Sequence, residues 1–137
     1  MGLLDFFKKK DNEVFKDENI FKIVDVFQDD KLLLKLIGIK TERDVTFSNN
    51  EKSIVIAFET SIGVDFVKVI ASYTRLGIGT EGTYASGMYP GFEKVRQSLL
   101  DIKINGVILP CDLIHYKNKE TGEEKDIYYE ISSFFGK

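Results

Sequence analysis

Three glycines in the middle of the chain, Gly77, Gly79 and Gly82, have the spacing of a phosphate-binding motif. In nucleotide sites such glycines let the backbone approach a phosphate, and the N-terminus of the following helix adds a positive end. That architecture needs a strand directly before the glycines and a helix directly after them. No helix is expected here before Pro90, and no Lys-Ser or Lys-Thr pair completes a P-loop. The spacing therefore favours a turn-rich loop over a phosphate site, and we expect no cofactor.

The stretch around these glycines, residues 73–92, holds five of the eleven glycines and three of the six tyrosines of the chain. It has neither a helical period nor a strand-like alternation, which predicts a long loop, and long loops in compact domains often carry function. Tyrosine suits a contact surface because it combines a large rigid face with a polar tip. The residues expected to contact a ligand or partner are Tyr73, Arg75, Glu81, Tyr84, Met88 and Tyr89.

Cys111 and His115 are the only cysteine and the only histidine of the chain. A thiol–imidazole pair needs hydrogen-bond contact. The surrounding segment, residues 107–116, is rich in branched residues and contains Pro110, which indicates a strand. Four strand residues span about 13 Å, so the pair would be too far apart for nucleophilic catalysis. We interpret Cys111 as a packing residue and name no catalytic residues.

Metal and nucleic-acid sites have little support in the composition. One histidine and one cysteine do not make a zinc site, and the acidic pairs lack the spacing of a calcium loop. The chain carries 22 acidic and 19 basic residues, a net charge of −3, with no dominant basic stripe. These features predict no metal and no nucleic-acid partner.

The remaining sequence is typical of a single α+β domain with a mostly antiparallel sheet of about five strands. Turn clusters and short apolar runs predict a three-stranded meander followed, near the end of the chain, by a polar-tipped hairpin. The expected strands of the meander are 45–48, 53–59 and 66–74, and those of the hairpin are 107–116 and 126–131.

One helix is expected over about 90–105, because Phe92, Val95, Leu99 and Ile102 form an apolar stripe at spacings of three and four. Asn105-Gly106 would end this helix, although the same dipeptide also forms two-residue hairpin turns. An N-terminal helix within residues 14–29 competes with a strand there. Residues 31–40 fit a buried strand or the tail of that helix.

The bulk properties predict a folded protein of the cytoplasm. Of its 137 residues, 43% are apolar and 30% are charged, which opposes disorder. A lone cysteine rules out an intrachain disulfide and fits a reducing compartment. The N-terminus lacks the pattern of a secretory signal, because its lysines follow the apolar residues. We expect an N-terminal arm, residues 1–12, and a domain, residues 13–137.

The first functional hypothesis is a non-enzymatic interaction or accessory protein, similar in kind to inhibitor or immunity proteins, which binds another protein through the loop 73–92. One alternative is a small-molecule-binding protein or enzyme with a pocket under that loop. Another is a peripheral membrane protein that uses residues 1–10, for which four apolar side chains and three lysines would give only marginal lipid affinity.

Overall fold

The computed structural model describes residues 23–137, which form seven strands and one helix in a single α+β domain. The strands close into a barrel in the order β1-β2-β3-β4-β7-β6-β5. The sheet thus has more strands than the expected five. The elements are β1 (Val24–Gln28), β2 (Lys31–Thr46), β3 (Lys52–Thr60), β4 (Asp65–Ile70), α1 (Thr74–Met88), β5 (Phe92–Ile104), β6 (Val107–Asn118) and β7 (Glu124–Glu130).

Most neighbouring strands are antiparallel and joined by hairpins, which confirms the mostly antiparallel sheet, the meander and the last hairpin of the sequence-based prediction. The exception is the parallel pair β4–β7. These two strands can run in the same direction because the long connection through α1, β5 and β6 separates them in the chain. Strand β1 closes the barrel, pairing with β2 along its length and with β5 at Val26 and Phe27. A buried ion pair between Lys68 and Glu130 lies among the apolar side chains of the barrel interior.

Helix α1 packs on the outer face of the sheet. Strand residues alternate between the two faces, so the face opposite the barrel interior carries a second apolar cluster under the helix. This cluster includes Val55, Val67, Ile114, Tyr116 and Tyr129. The site described below lies between this face and α1.

The expected helix over residues 90–105 is wrong, because this segment is strand β5. Its partner β6 pairs with it from Phe92 to Ile104. Two residues of the supposed apolar stripe, Val95 and Leu99, are 53% and 56% exposed, so the stripe is not a buried face. Asn105 and Gly106 both have positive φ angles, 48° and 80°, and form the hairpin turn between β5 and β6.

The expected loop over residues 73–92 is also wrong, because most of it is α1. Two adjacent rows of residues four positions apart are buried, and most of them are small or polar. The rows are Leu76, Thr80 and Tyr84, and Gly77, Glu81 and Ala85. Packing against the sheet stabilises this helix in spite of its glycines, which cost about 1 kcal/mol each relative to alanine.

Gly77 gives the helix its closest approach to the rest of the domain. A Cβ atom at this position would lie 2.5 Å from the ring of Phe134, which is buried beneath the helix. The first turn of α1 also bonds to the end of the chain, because the Thr74 amide donates to the Lys137 carbonyl at 2.9 Å. The three motif glycines therefore lie within a helix and do not form a phosphate loop, and Gly77 serves the packing of that helix.

The two N-terminal predictions have different outcomes. The proposed helix within residues 14–29 is contradicted at its end, where Val24–Gln28 forms β1, and residues 31–40 belong to β2. The arm 1–12 and the rest of the proposed helix lie outside the described residues. Within residues 23–137, no helix combines the length and apolarity needed to cross a bilayer.

Candidate functional site

Two carboxyl groups meet beneath the middle of helix α1. Glu81 belongs to the buried face of the helix and is 3% exposed. Asp112 lies on β6, on the same face as Ile114 and Tyr116, and is 6% exposed. The two carboxyl groups lie within hydrogen-bonding reach of each other. Since a carboxylate only accepts hydrogen bonds, a hydrogen bond between them requires a proton on one of the two groups.

The proton resides on Glu81 near neutral pH. Burial raises the pKa of Glu81 to about 9, and both the hydrogen bond and the negative charge of Asp112 act in the same direction. The positive charge of Lys94 has a smaller, opposing effect on this pKa. The acid pair, as we call Glu81 and Asp112, therefore holds a proton on Glu81 near neutral pH.

One oxygen of the acid pair lacks a hydrogen-bond partner. Among the described residues, Glu81 Oε2 is the one buried side-chain oxygen or nitrogen that no hydrogen-bond partner reaches. The barrel interior shows the contrast, because Glu130 pairs with the ammonium of Lys68 and also accepts a hydrogen bond from the Ser132 amide. A buried polar atom without a partner costs about 1–3 kcal/mol, so the chain retains this arrangement at a loss of stability.

A cavity of about 260 Å³ opens beside the acid pair, with α1 as one wall and strands β5 and β6 as the other. Most of the wall is apolar or small, and the polar groups in it are few. The lining residues are Ile78, Glu81, Gly82, Ala85, Ser86, Phe92, Lys94, Ile114 and Tyr116. An apolar cleft with a few convergent polar groups is the usual form of a small-molecule site.

Two tyrosines fix the helix turn that carries Glu81. The hydroxyl of Tyr129 donates to the Glu81 carbonyl at 3.2 Å, and the hydroxyls of Tyr116 and Tyr129 are 2.9 Å apart. Because the Tyr129 proton points to the helix, Tyr116 is the donor in the second bond. Burial raises the pKa of Tyr116 to about 12 and that of Tyr129 further still, so both remain neutral donors.

Of the six residues predicted for the site, the structure places only Glu81 in the wall of this cavity. Tyr84 is 3% exposed and packs beneath α1, with its ring edge-on to Tyr129 at 6.3 Å between centroids. The guanidinium carbon of Arg43 lies over the Tyr84 ring, 5.6 Å from the ring centroid. Tyr84 is therefore a core residue and not a contact residue on the surface.

The other predicted residues lie at the two ends of α1. Tyr73 and Arg75 border a separate cavity of about 400 Å³ at the N-terminal end, where the Tyr73 hydroxyl donates to Glu51 Oε1 at 2.6 Å. At the C-terminal end, Met88 is 38% exposed, while the Tyr89 hydroxyl donates to Asp65. The six residues thus do not form one continuous tyrosine surface.

Three residues of the cavity region, Asp112, Lys94 and Tyr116, are missing from the sequence-based prediction. Asp112 left a signal, because it is the one carboxylate within the otherwise apolar run VILPCDLIHY. A lone acid in a strand of that kind marks a buried carboxyl group. Lys94 left no such signal, because it lies in the segment interpreted as a helix.

The cysteine and histidine that the sequence singles out lie elsewhere. Cys111 is buried in the barrel-side cluster, and burial raises the pKa of its thiol. The His115 ring lies between Asp126, 2.5 Å from Nδ1, and Glu124, 2.8 Å from Nε2. These hydrogen bonds raise the pKa of His115. Within residues 23–137, no group of three or more His, Cys, Asp or Glu side chains is arranged to hold a metal ion.

Comparison of the chain with protein-family models, with curated proteins and with solved structures finds no match. The functional argument therefore depends on the geometry of the cavity and of the acid pair.

Proposed function

We propose that the protein binds a small organic molecule in the cavity between α1 and strands β5 and β6. The observation that supports this proposal most directly is that Glu81, which lines the cavity, has a buried Oε2 atom without a hydrogen-bond partner. A ligand with a hydrogen-bond donor would supply the missing partner, and the apolar part of the wall would cover the rest of the ligand.

The cavity volume limits the size of the ligand. A water molecule occupies about 30 Å³ in the liquid, so 260 Å³ corresponds to a ligand with on the order of nine non-hydrogen atoms. At roughly 0.5 kcal/mol per atom, such a ligand would bind with a dissociation constant on the order of 1 mM. Ligands that extend beyond the cavity mouth would bind more tightly.

Binding accounts for the site better than catalysis does. The acid pair provides recognition and a proton, but the side chains of the cavity wall include no thiol, and Cys111 belongs to the opposite face of the sheet. Ser86 is the one hydroxyl of serine or threonine in the wall, and it is exposed on the helix. A nucleophile needs a neighbouring base to be activated, and Glu81 is protonated near neutral pH.

Filling the cavity tests this function. A Cβ atom at Gly82 would meet no atom within 4 Å, so Gly82→Leu extends a side chain along the cavity wall without a backbone clash. Gly87→Leu is the matched control, because Gly87 lies on the same helix in open space and does not line the cavity. The probes are 2-phenylethylamine, 2-phenylethanol and phenylacetate, which have nine or ten non-hydrogen atoms.

Backbone amide NMR shifts report the binding site of each probe. We expect at least one probe to shift amides of α1, β5 and β6 in a saturable manner. The shifts should be lost in Gly82→Leu and retained in Gly87→Leu. If none of the three probes causes saturable shifts, or if Gly82→Leu leaves them intact, this cavity is not the binding site.

A protein partner is the second candidate, as the sequence first indicated. It is supported by exposed apolar side chains at residues Ile78 and Met88 of α1 and Val95 and Leu99 of β5. A pull-down from native cytosol would compare the wild type with the double variant Val95→Lys, Leu99→Lys. Loss of a specific partner in the variant would support this candidate, and equal recovery would remove β5 as the contact surface.

A further inference from the structure

We propose that the ligand of this cavity is an organic cation, a protonated amine on a small apolar body, and that it displaces the proton shared by Glu81 and Asp112. This inference rests on the proposed function. It concerns the chemical class of the ligand, which the cavity alone does not define.

The first argument is the mismatch between charge and donors at the acid pair. Two carboxyl groups, both more than nine-tenths buried, lie side by side, and Glu81 Oε2 has no hydrogen-bond partner. An ammonium group offers three donors and a full positive charge. Hydrogen bonds between charged partners are about twice as strong as those between neutral partners, and the buried position strengthens them further.

The second argument is that the protein's own cation does not fill this role. Lys94 is exposed, and its ammonium donates to the side chain of Gln97 on the same strand. The barrel interior shows how this chain matches a buried carboxylate with a lysine, since Lys68 and Glu130 form a direct ion pair. At the acid pair, the corresponding cation is expected from outside.

The third argument is the apolar remainder of the wall. Phe92 and Tyr116 present aromatic rings, and Ile78 and Ile114 present branched side chains, which suit the hydrocarbon part of an amine. Aromatic rings also attract cations through their faces. A carboxylate ligand would meet the negative charge of the acid pair and should be excluded.

Binding would release one proton to solvent. The ammonium ion pairs with the Glu81 carboxylate and the proton of Glu81 leaves to solvent, so the net charge of the complex equals that of the free protein. Several other titratable groups act electrostatically on Glu81 or feel its charge. They are Asp112, Tyr116 and Cys111 on β6, Lys94 on β5 and Tyr129 on β7.

The test is a titration of the full chain with 2-phenylethylamine and with 2-phenylethanol at pH 6, 7 and 8. The amine stays protonated over this range, as lysine does, so release of one proton should tighten its binding about 100-fold between pH 6 and pH 8. The alcohol should show no such trend. Isothermal titration calorimetry in two buffers of different ionisation enthalpy counts the released proton directly.

The outcomes separate the two proposals. If the alcohol binds and the amine does not, or if the amine affinity is independent of pH, the cation inference is wrong while the binding cavity stands. If neither compound binds and phenylacetate does not bind either, the proposed function itself fails. Tighter binding of the amine with proton release supports both.

Glu81→Gln provides the matched variant, because glutamine keeps the shape and the hydrogen bond to Asp112 but does not ionise. We expect it to abolish proton release and to reduce the preference for amine over alcohol at least tenfold. Glu93→Gln, which removes an exposed carboxylate of β5 that pairs with Lys119, should behave as the wild type. Should Glu81→Gln fail to fold, Asp112→Asn and the wild-type pH series decide the matter.

Discussion

The buried carboxyl of Glu81 makes the stability of the protein depend on pH. Its pKa is about 9 in the folded chain against an ordinary value of 4.5, so between these values the folded state holds a proton that the unfolded state has lost. Because this folded-state pKa is raised, the stabilisation is complete below about pH 4.5 and is lost as the pH rises towards 9. Glu81→Gln removes the titration and should remove this loss.

The size of the effect follows from the two pKa values. One bound proton changes the free energy of unfolding by about 1.36 kcal/mol per pH unit. Between pH 5 and pH 8, the wild type should therefore lose about 4 kcal/mol relative to Glu81→Gln, and at pH 7 the variant should be more stable by on the order of 3 kcal/mol. A substitution in a buried site usually destabilises, so the expected sign is itself a test.

Urea unfolding followed by circular dichroism at pH 5, 6, 7 and 8 measures the difference. The contribution of His115, whose pKa is also raised, is common to both proteins and cancels in the difference, and the Cys111 thiol, whose pKa is raised by burial, stays neutral over this pH range. Glu120→Gln, an exposed carboxylate in the β6–β7 turn, is the control and should follow the wild type. Parallel profiles for the wild type and Glu81→Gln would refute a buried, protonated Glu81.

Two further predictions concern packing and the barrel interior. Gly77→Ala should destabilise the fold by about 2 kcal/mol in thermal or urea unfolding, because the new Cβ would lie 2.5 Å from the Phe134 ring. Gly87→Ala, whose Cβ would lie in open space, should stabilise the fold by up to about 1 kcal/mol. Equal effects of the two substitutions would contradict this packing. Lys68→Met should lower the free energy of unfolding by about 3–5 kcal/mol, because Glu130 would stay buried without a counter-charge. The double variant Lys68→Met, Glu130→Leu should recover most of this loss. A Lys68→Met variant as stable as the wild type would argue against the buried pair.

The hairpins of the fold are predictable from the sequence because their turns carry a local signal. The Ser-Asn-Asn cluster before β3 and the polar tip before β7 fix where the strands end, whatever the rest of the chain does. Asn105-Gly106 carries an equally strong turn signal, but the apolar stripe of residues 92–102 outweighed it. Spacings of three and four occur by chance in a strand whose exposed face contains residues such as Val95 and Leu99.

Helix α1 is difficult to predict because its buried face is not hydrophobic. A period of four is present in Leu76, Thr80 and Tyr84, and beside it in Gly77, Glu81 and Ala85, but only part of this set is apolar. Glycine also has poor helix propensity, so local preference opposes the state that tertiary packing selects. The helix can be recognised only when it is known which of its residues are buried.

The composition that hides the helix also explains the site. The lack of a side chain at Gly77 lets α1 lie close to Phe134 in the C-terminal segment, and a few positions later Gly82 and Ala85 leave room between helix and strands. A helix with ordinary large residues in these places would fill the cavity and bury Glu81 against hydrocarbon alone. The sequence hypothesis that residues 73–92 carry the function and the structural finding that they form a packed helix are therefore compatible, because the binding surface we propose is the inner side of α1 and not an exposed loop.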